Sequence, residues 1–468
     1  MTFDWTTSGP DLHLALASSG ARHAALEDAL RAAIRERRLE AGTRLPSTRA
    51  LAGDLGLSRG TVVEAFAQLT AEGYLEARRG AGTWVADVSA ADVARTPPVE
   101  HLRRPARFSF SPGLPDLTSF PRAAWMAALR QGVRSVSAAS LGYGDPRGRR
   151  DLREQMASYL ARARGVRADP ELVLVCGGFR HGLSLVARAL RASGAETLAM
   201  EDPCAEQHRA AVAGAGLALE VLPVDDRGAR TDLLGGVSGA VLSPAHQFPT
   251  GVVLQRDRRA AAVAWAAATG GVIVEDDFDG EFRYDRQPVG ALQALAPNSV
   301  VYGGTASKTL APGLRLGWLV VPPRLLEPIV SIRSGEDVHV PALEQIALCE
   351  LLGSGGYERH VRRMRARYRH RRDRLLALLA GCAPGLVPVG ISAGLGVLLY
   401  LPAEGPSSGA LMEEAARRSI ELFPLAPHYA SGTAPRDGVV IGFGAVPEHD
   451  FDAALRALGE LLAATIGA

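Results

Sequence analysis

Apolar residues recur every three or four positions along much of the first part of the chain, which is the period of an amphipathic helix. The first such stretch places Leu26, Leu30 and Ile34 on one face, and a later stretch does the same with Val62 and Phe66. Capping and breaking residues mark the ends of these stretches. The segments predicted to be helical are 22–39, 47–56 and 58–73.

A two-stranded pattern follows the predicted helices. Residues 74–86, YLEARRGAGTWVA, contain two short apolar runs around a glycine-rich turn, which predicts a hairpin. Residues 10–86 are therefore expected to form one small α+β domain. Residues 87–107 show no clear apolar period and contain a Pro-Pro pair, which is typical of a linker.

From residue 108 onward, short apolar runs alternate with longer helical stretches. The runs predicted to be strands are 172–176, 239–243, 270–275, 299–304 and 316–321. This alternation predicts a mostly parallel sheet covered by helices, that is, a large α/β domain over residues 108–355. A basic helix and a smaller α+β subdomain are expected in residues 356–468.

Composition changes this picture little. The 468 residues are 47% hydrophobic and 22% charged, as in ordinary globular proteins, and the net charge of +2 does not by itself indicate nucleic acid or membrane. The four cysteines show no CxxC pair and no metal-ligand spacing, so we expect free thiols and no metal site. The first residues lack the pattern of a signal peptide and no uncharged apolar run reaches membrane length, which favours a cytoplasmic protein.

The two helices predicted at 47–56 and 58–73 are typical of a helix-turn-helix, whose second helix enters the DNA major groove. The N-terminal end of that second helix carries Ser58, Arg59 and Thr61, which suit phosphates and base edges. Further basic residues lie on the preceding helix and at the hairpin tip, at Arg49, Arg78 and Arg79. The alternative is a small helical domain with ordinary surface arginines.

Lysine is almost absent from the chain. Of its 52 lysine and arginine residues, only Lys308 is a lysine. Arginine stays protonated at any working pH, whereas a lysine amine can attack a carbonyl once burial or a neighbouring charge lowers its pKa. Lys308 is therefore a candidate for Schiff-base chemistry. The alternative is a chance codon at an exposed position.

Three further features accompany this lysine. Arg315 suits a phosphate monoester, and Asp276, at the end of a predicted strand, can pair with a protonated pyridine nitrogen. The strand, glycine turn and helix around Gly178 would hold a phosphate on backbone amides and the helix dipole. Each signal is weak by itself. In this order on an alternating fold, they together indicate pyridoxal 5′-phosphate (PLP).

Several stretches resemble known families. GTRLPSTRALAGDLGLSRGTVVEAFAQLTAEGYLEARRGAGTWVA (42–86) closely resembles the winged helix of GntR-type bacterial repressors. EDDFDGEFRY (275–284) and SKTLAPGLRLGW (307–318) resemble fold-type I aminotransferases. From about residue 20 to its end, the chain resembles the MocR subfamily. That resemblance implies a multidomain fold: an α+β winged helix-turn-helix, then an α/β aminotransferase-like domain with a smaller α+β C-terminal subdomain.

The resemblance implies roles for matching residues. Lys308 would be the catalytic residue and would attach PLP as an aldimine, and Asp276 would pair with the pyridine nitrogen. Tyr143 would reach the phosphate of the neighbouring subunit, which implies a homodimer. The other residues expected to contact PLP are Gly178, Phe179, Arg180, His246, Phe278, Thr305, Ser307 and Arg315. The residues expected to contact double-stranded operator DNA are Arg49, Ser58, Arg59, Thr61, Arg78, Arg79 and Gly80.

The chain also departs from the aminotransferase pattern. Ala205 replaces an aromatic residue that stacks on the cofactor ring, and Phe278 replaces a tyrosine that bonds the ring hydroxyl. The asparagine of the NPTG motif is Phe248. The arginine for the substrate α-carboxylate falls on Val440, and the nearest arginine is Arg436. One lost hydrogen bond costs only about 0.5–1.5 kcal/mol, so these departures weaken the case for turnover more than the case for attachment.

The leading hypothesis is a PLP-dependent transcriptional regulator that dimerises and senses PLP, or an amine or amino-acid effector, through an aldimine at Lys308. One alternative is an active PLP-dependent aminotransferase, and another is a repressor with a degenerate PLP site that reads another ligand. The arginine-rich helix 359–374 is open to two interpretations, a solvated or interdomain helix and an auxiliary contact with the DNA backbone.

Overall fold

The computed structural model describes residues 22–78, 82–87, 106–284, 289–336 and 340–466. The chain divides into two compact units, Met1–Arg103 and Arg104–Ala468. Residues 10–21 of the predicted first domain and residues 88–105 of the predicted linker lie outside the described residues.

Three helices and a hairpin form the described part of the first unit, which confirms the elements expected there. They are α1 Arg22–Arg35, α2 Thr48–Leu55, α3 Arg59–Ala71, β1 Leu75–Arg78 and β2 Gly82–Val85. The two strands are antiparallel, with Leu75 opposite Val85. The apolar faces of the helices meet in one core, to which Leu26, Leu30 and Val62 contribute.

The second unit is built around an eight-stranded sheet. In chain order, the strands of this unit from β3 to β11 are β3 Phe108–Ser109, β4 Val173–Cys176, β5 Thr197–Asp202, β6 Ala218–Asp225, β7 Gly228–Ala229, β8 Gly239–Leu242, β9 Val272–Asp276, β10 Val300–Thr305 and β11 Gly317–Val320. All of these except β3 belong to the eight-stranded sheet. The order is β4-β11-β10-β9-β8-β5-β6-β7. Strands β6, β5, β8, β9 and β10 are parallel, and β11 is antiparallel to both neighbours. The five predicted strands are all present, so the mostly parallel sheet is confirmed.

Helices cover both faces of this sheet. They are α4 Arg122–Ser135, α5 Arg150–Arg164, α6 Phe179–Ala192, α7 Glu206–Gly214, α8 Arg256–Thr269, α9 Pro323–Ser334, α10 Ala342–Gly353 and α11 Gly356–Cys382. Neighbouring residues of β11 point to opposite cores, because Trp318 packs with Tyr159 while Leu319 packs with Leu183. Burial on both faces explains why the strands are continuous apolar runs.

The last elements form a smaller layer. They are β12 Pro388–Val389, β13 Gly396–Tyr400, α12 Ser408–Arg417, β14 Ile420–Glu421, β15 Phe423–Pro424, β16 Gly438–Gly442 and α13 Phe451–Thr465. Strands β12, β13, β16 and β15 make a four-stranded antiparallel sheet. Strand β3 pairs in parallel with β14, and Phe108 and Phe110 belong to the core of this layer.

The predicted arginine-rich helix is part of α11. Arg371 on this helix is fully buried and donates to Asp116 Oδ2 at 2.9 Å and to the carbonyl of Val446 at 2.8 Å. Removing one partner of a buried ion pair typically costs about 3–5 kcal/mol, so this arginine holds the fold together. Within the described ranges, no helix is long and apolar enough to cross a membrane.

Candidate functional site

The first helix of interest is α3 in the first unit. Ser58 precedes it, and its Oγ accepts a hydrogen bond from Thr61 N at 3.1 Å and lies 2.8 Å from Thr61 Oγ1. Ser58 is therefore an N-cap that fixes the start of the helix. Arg59 and Arg49 are exposed, and neither has a hydrogen-bond or ion-pair partner in the part of the chain that the structure describes. Both guanidinium groups are available for a ligand.

The hairpin presents further cations. Arg78 lies 5.1 Å from the ring centroid of Trp84 and pairs with Glu76 at 3.4 Å. Arg44 lies over the same ring at 5.9 Å, and the sequence reasoning did not select it, because its place beside the hairpin depends on the fold. The predicted contacts Arg79 and Gly80 lie outside the described residues.

In the second unit, a cavity of about 350 Å³ lies where the central parallel strands end. The carboxyl ends of such strands are the usual ligand site of open α/β sheets. Asp276 ends β9, Thr305 ends β10, and the turn after β10 carries Lys308. Nine of the residues predicted to contact the cofactor line this one cavity, namely Gly178, Phe179, Arg180, Asp276, Phe278, Thr305, Ser307, Lys308 and Arg315.

Lys308 is enclosed in this cavity. A Cβ on Gly113, which has φ +69°, would lie 3.4 Å from Lys308 Nζ, so the loop at Gly113 closes against the amine. Burial lowers the pKa of Lys308, and Asp279 and Asp276 act in the opposite direction. A lowered pKa raises the fraction of neutral amine, the form that attacks carbonyls. The alternative that Lys308 is a chance lysine at an exposed position is therefore ruled out.

Asp276 faces Lys308 as a buried carboxyl with spare bonding capacity. Its Oδ1 has no hydrogen-bond partner among the described residues, and its Oδ2 lies 3.6 Å from His208 Nδ1. Burial, together with Asp279, raises the pKa of Asp276 well above its ordinary value. An unpaired buried oxygen is costly, and a cationic N–H placed against it would satisfy it. The pyridinium N–H of PLP is such a group, so this residue fits the cofactor.

His208 was not selected from the sequence. It lies on α7, three residues after Ala205, and its ring is 5.1 Å from that of Phe179. Burial, together with the positive charges of Lys308 and Arg180, lowers the pKa of His208 to about 4. His208 therefore stays neutral beside Asp276. The only sequence signal was its spacing of one helical turn from Ala205.

Four residues that line the cavity suit a phosphate group, namely Gly178, Thr305, Ser307 and Arg315. Gly178, with φ +94°, precedes α6, and a Cβ there would lie 3.4 Å from Arg315 Nη1. Arg315 donates to the carbonyl of Gly177, and Thr305 Oγ1 donates to Ser307 Oγ at 2.9 Å. Helix amides, a guanidinium and two hydroxyls together suit a phosphate monoester. These residues fit the phosphate end of PLP.

Two predicted cofactor residues lie elsewhere. His246 does not line the cavity, and its Nδ1 contacts Asp279 at 2.9 Å behind Phe278. Tyr143 is 86% exposed and lines a separate cavity of about 670 Å³ with Arg150. A contact between Tyr143 and the cofactor would therefore require a second copy of the chain.

The departures from the aminotransferase pattern have structural counterparts. Ala205 lines the cavity without offering a ring. Val440 is buried in β16, where it packs in an apolar cluster with Leu398 and Leu425. Arg436 is exposed and lies over the ring of Tyr400 at 4.6 Å. Arg436 therefore does not compensate for the missing arginine at position 440 in this arrangement.

Comparisons with known proteins match each of the two units to a protein family. The family profile "Bacterial regulatory proteins, gntR family" matches residues 23–85, and the profile "Aminotransferase class I and II" matches residues 113–423. An archaeal alanine:glyoxylate aminotransferase of known structure is similar, with a TM-score of 0.69 and 25% identity over 76% of this chain and 90% of that one. These matches define the class: a GntR-type DNA-binding unit joined to a fold-type I aminotransferase-like unit.

Two curated relatives match most of the chain. The pyridoxine biosynthesis transcriptional regulator PdxR of Corynebacterium glutamicum is 34% identical, over 90% of this chain and 91% of the relative. The probable rhizopine catabolism regulatory protein MocR of Rhizobium meliloti is 34% identical, over 76% of each chain. The chain therefore belongs to the MocR subfamily of GntR-type transcriptional regulators. Its first unit binds DNA, and its second has the aminotransferase fold.

Proposed function

We propose that this regulator holds PLP through Lys308 and that the state of the cavity sets its affinity for operator DNA. The observation that carries the proposal is that the partly buried Lys308 lines one cavity with Asp276, whose buried Oδ1 has no partner among the described residues, in a chain that also has a GntR unit. PLP supplies an electron-withdrawing pyridinium ring when bound. Asp276 would hold the proton of the ring nitrogen. The phosphate would be held by Gly178, Thr305, Ser307 and Arg315.

The effector is PLP itself, or an amine or amino acid that competes with Lys308 for it. The lowered pKa of Lys308 supports such competition, because a neutral amine exchanges more readily than an ammonium. A homodimer would complete the site, with Tyr143 of the second copy reaching the phosphate. The high exposure of Tyr143 supports this arrangement. Since the target is DNA, the regulator would act in the cytoplasm.

A working aminotransferase is the second candidate, and it needs a group that binds the substrate carboxylate. Val440 is buried among apolar residues, and Arg436 lies on the ring of Tyr400. These contacts favour sensing over turnover. A regulator with a degenerate site is disfavoured by Asp276 and Lys308, which retain the features that PLP requires.

The proposal is tested by linkage between the two ligands. Operator sequences are selected from random duplex DNA by the full-length protein, and affinity is then measured with and without PLP. We expect PLP to change the affinity about 5- to 150-fold, and DNA to change PLP affinity by the same factor. The Lys308→Arg variant keeps the charge and should lose this coupling. Equal DNA affinity of the wild-type protein with and without PLP would refute the proposed regulation by PLP.

A further inference from the structure

A second cavity of the aminotransferase-like unit shares no lining residue with the cofactor cavity. It has a volume of about 540 Å³ and lies between α5, α11 and the segment 280–284. Five of its lining residues are arginines, namely Arg164, Arg283, Arg362, Arg365 and Arg369. A concentration of one kind of charge around one cavity calls for a ligand of the opposite charge.

Among the described residues, two acidic groups lie beside these arginines, Asp277 and Glu281. Asp277 is committed to Arg164, which donates to its two oxygens at 2.6 and 2.9 Å. Glu281 lines the cavity and accepts from the Tyr159 hydroxyl at 3.2 Å, and burial raises the pKa of Glu281 to about 7. Near neutral pH, Glu281 therefore contributes only a partial negative charge, and within the described ranges neither acid pairs with Arg362 or Arg369.

Helix α11 supplies three of the five arginines from one face. Arg362, Arg365 and Arg369 are spaced by three and four residues, so their side chains lie in one row. Arg365 Nε donates to the carbonyl of Glu281 at 2.6 Å, which anchors its guanidinium at the cavity wall. Arg362 and Arg369 have no hydrogen-bond or ion-pair partner within the described ranges. Three neighbouring like charges repel, and a bound anion would relieve that repulsion.

One short segment borders both cavities. Asp276 and Phe278 line the cofactor cavity, whereas Gly280 and Glu281 line the arginine cavity. The segment is tightly packed, because a Cβ on Gly280 would come within 2.2 Å of Asp277 Oδ1. A ligand that moves this segment at one cavity therefore moves it at the other.

We propose that the arginine cavity is a second ligand site, which binds a small phosphate-bearing anion and influences the cofactor cavity through residues 276–284. Guanidinium groups pair with phosphate oxygens through two parallel hydrogen bonds. The volume of about 540 Å³ is in the range of small-molecule sites. A DNA backbone offers the same phosphate chemistry. Arg362, Arg365 and Arg369 are exposed, but they converge with Arg164 of α5 on one concave recess, which favours a small phosphorylated molecule over the extended backbone of a duplex.

Calorimetric titration with inorganic pyrophosphate tests this site in full-length protein that has been loaded with PLP and freed of unbound PLP, so that the phosphate-binding residues of the cofactor cavity are occupied. We expect one saturable site per chain, weakened at least about tenfold in the Arg362→Gln/Arg369→Gln variant. Two control variants show where pyrophosphate binds. Arg315→Gln alters the cofactor cavity, and Arg456→Gln removes an exposed arginine of α13. Both controls should keep this site. Loss in Arg315→Gln with retention in the double variant would assign the anion to the cofactor cavity and overturn the proposal.

Hydrogen–deuterium exchange tests the link to the cofactor cavity. Pyrophosphate should slow exchange of the amides of residues 277–284 in the wild-type protein and leave them unchanged in the double variant. A random-sequence duplex replaces pyrophosphate in a parallel titration. If only the duplex binds, and the double variant loses that binding, the arginines contact DNA and the small-anion site is wrong. Absence of saturable pyrophosphate binding overturns the proposal as well.

Discussion

Burial shifts the pKa values of Lys308 and Asp276 in opposite directions for the same physical reason. Removal from water disfavours a charged group, so the pKa of the amine falls and that of the carboxyl rises. Both shifts favour neutral forms, which suits a lysine that must act as a nucleophile. They also leave Asp276 ready to regain its charge when a cationic ring nitrogen lies against Oδ1.

His208 gives a pH-dependent prediction. Its pKa is about 4 in the folded chain, whereas an unfolded histidine has a pKa of about 6.5. The stability that His208 provides is therefore complete above pH 6.5 and is lost as pH falls towards 4. We expect wild-type protein to lose about 2 kcal/mol more than His208→Gln between pH 7 and 4.5. Urea unfolding of the second unit at both pH values measures the difference, and parallel curves would contradict the assignment.

Lys308, Asp276 and His208 differ in how clearly the sequence alone identifies them. Lys308 could be selected because it is the only lysine, and Asp276 because it follows an apolar strand. Nothing local marks His208, since a histidine on a short helix is ordinary. Its position depends on α7 packing near the end of β9, which only the folded chain reveals.

At the scale of elements, α3 combines a structural role and a binding role in Ser58. The hydroxyl caps the helix through Thr61 N, and the same end of the helix is expected to meet DNA phosphates. Two substitutions separate these roles, because aspartate caps a helix as well as serine does but repels phosphate.

We expect Ser58→Ala to destabilise the first unit by about 1 kcal/mol. Ser58→Asp should leave its stability near that of the wild-type protein and weaken DNA binding more than Ser58→Ala does. Thermal unfolding and fluorescence anisotropy with duplex DNA measure the two effects. Equal DNA affinity of the two variants would remove Ser58 from the DNA-binding surface.

Strands that are buried along their whole length were easier to predict than exposed ones. Strands buried on both faces are continuous apolar runs, which is why β4, β8, β9, β10 and β11 could be identified. Strand β6, near the sheet edge, is mostly exposed and has one buried residue, Leu222, so its apolar signal was weak. The pairing of Phe108 with Ile420 joins residues far apart in the chain, and no local pattern specifies such a pair.

At the scale of the whole molecule, exposed apolar side chains indicate an interface in the second unit. Met126 and Val133 lie seven residues apart on α4 and are 52% and 43% exposed. Leu141 and Tyr143 are exposed close by in the chain. We expect Met126→Asp/Val133→Asp to convert a dimer into a monomer and to lower PLP affinity, since Tyr143 of the second copy would be lost.

Light scattering of the purified Met126→Asp/Val133→Asp variant measures its molecular mass and thus its oligomeric state. Val387→Asp is the matched control, because Val387 is 68% exposed on a different part of the second unit and its substitution should leave the dimer intact. A dimer of unchanged stability in the double variant would place the interface elsewhere.

Covalent attachment of PLP at Lys308 is tested most directly by borohydride reduction followed by peptide mass spectrometry. The wild-type protein, incubated with PLP and reduced, should carry one pyridoxyl phosphate per chain, on the peptide that contains Lys308. The Lys308→Arg variant should carry none. Stoichiometric binding of PLP with no trapped adduct, or an adduct elsewhere, would contradict the account.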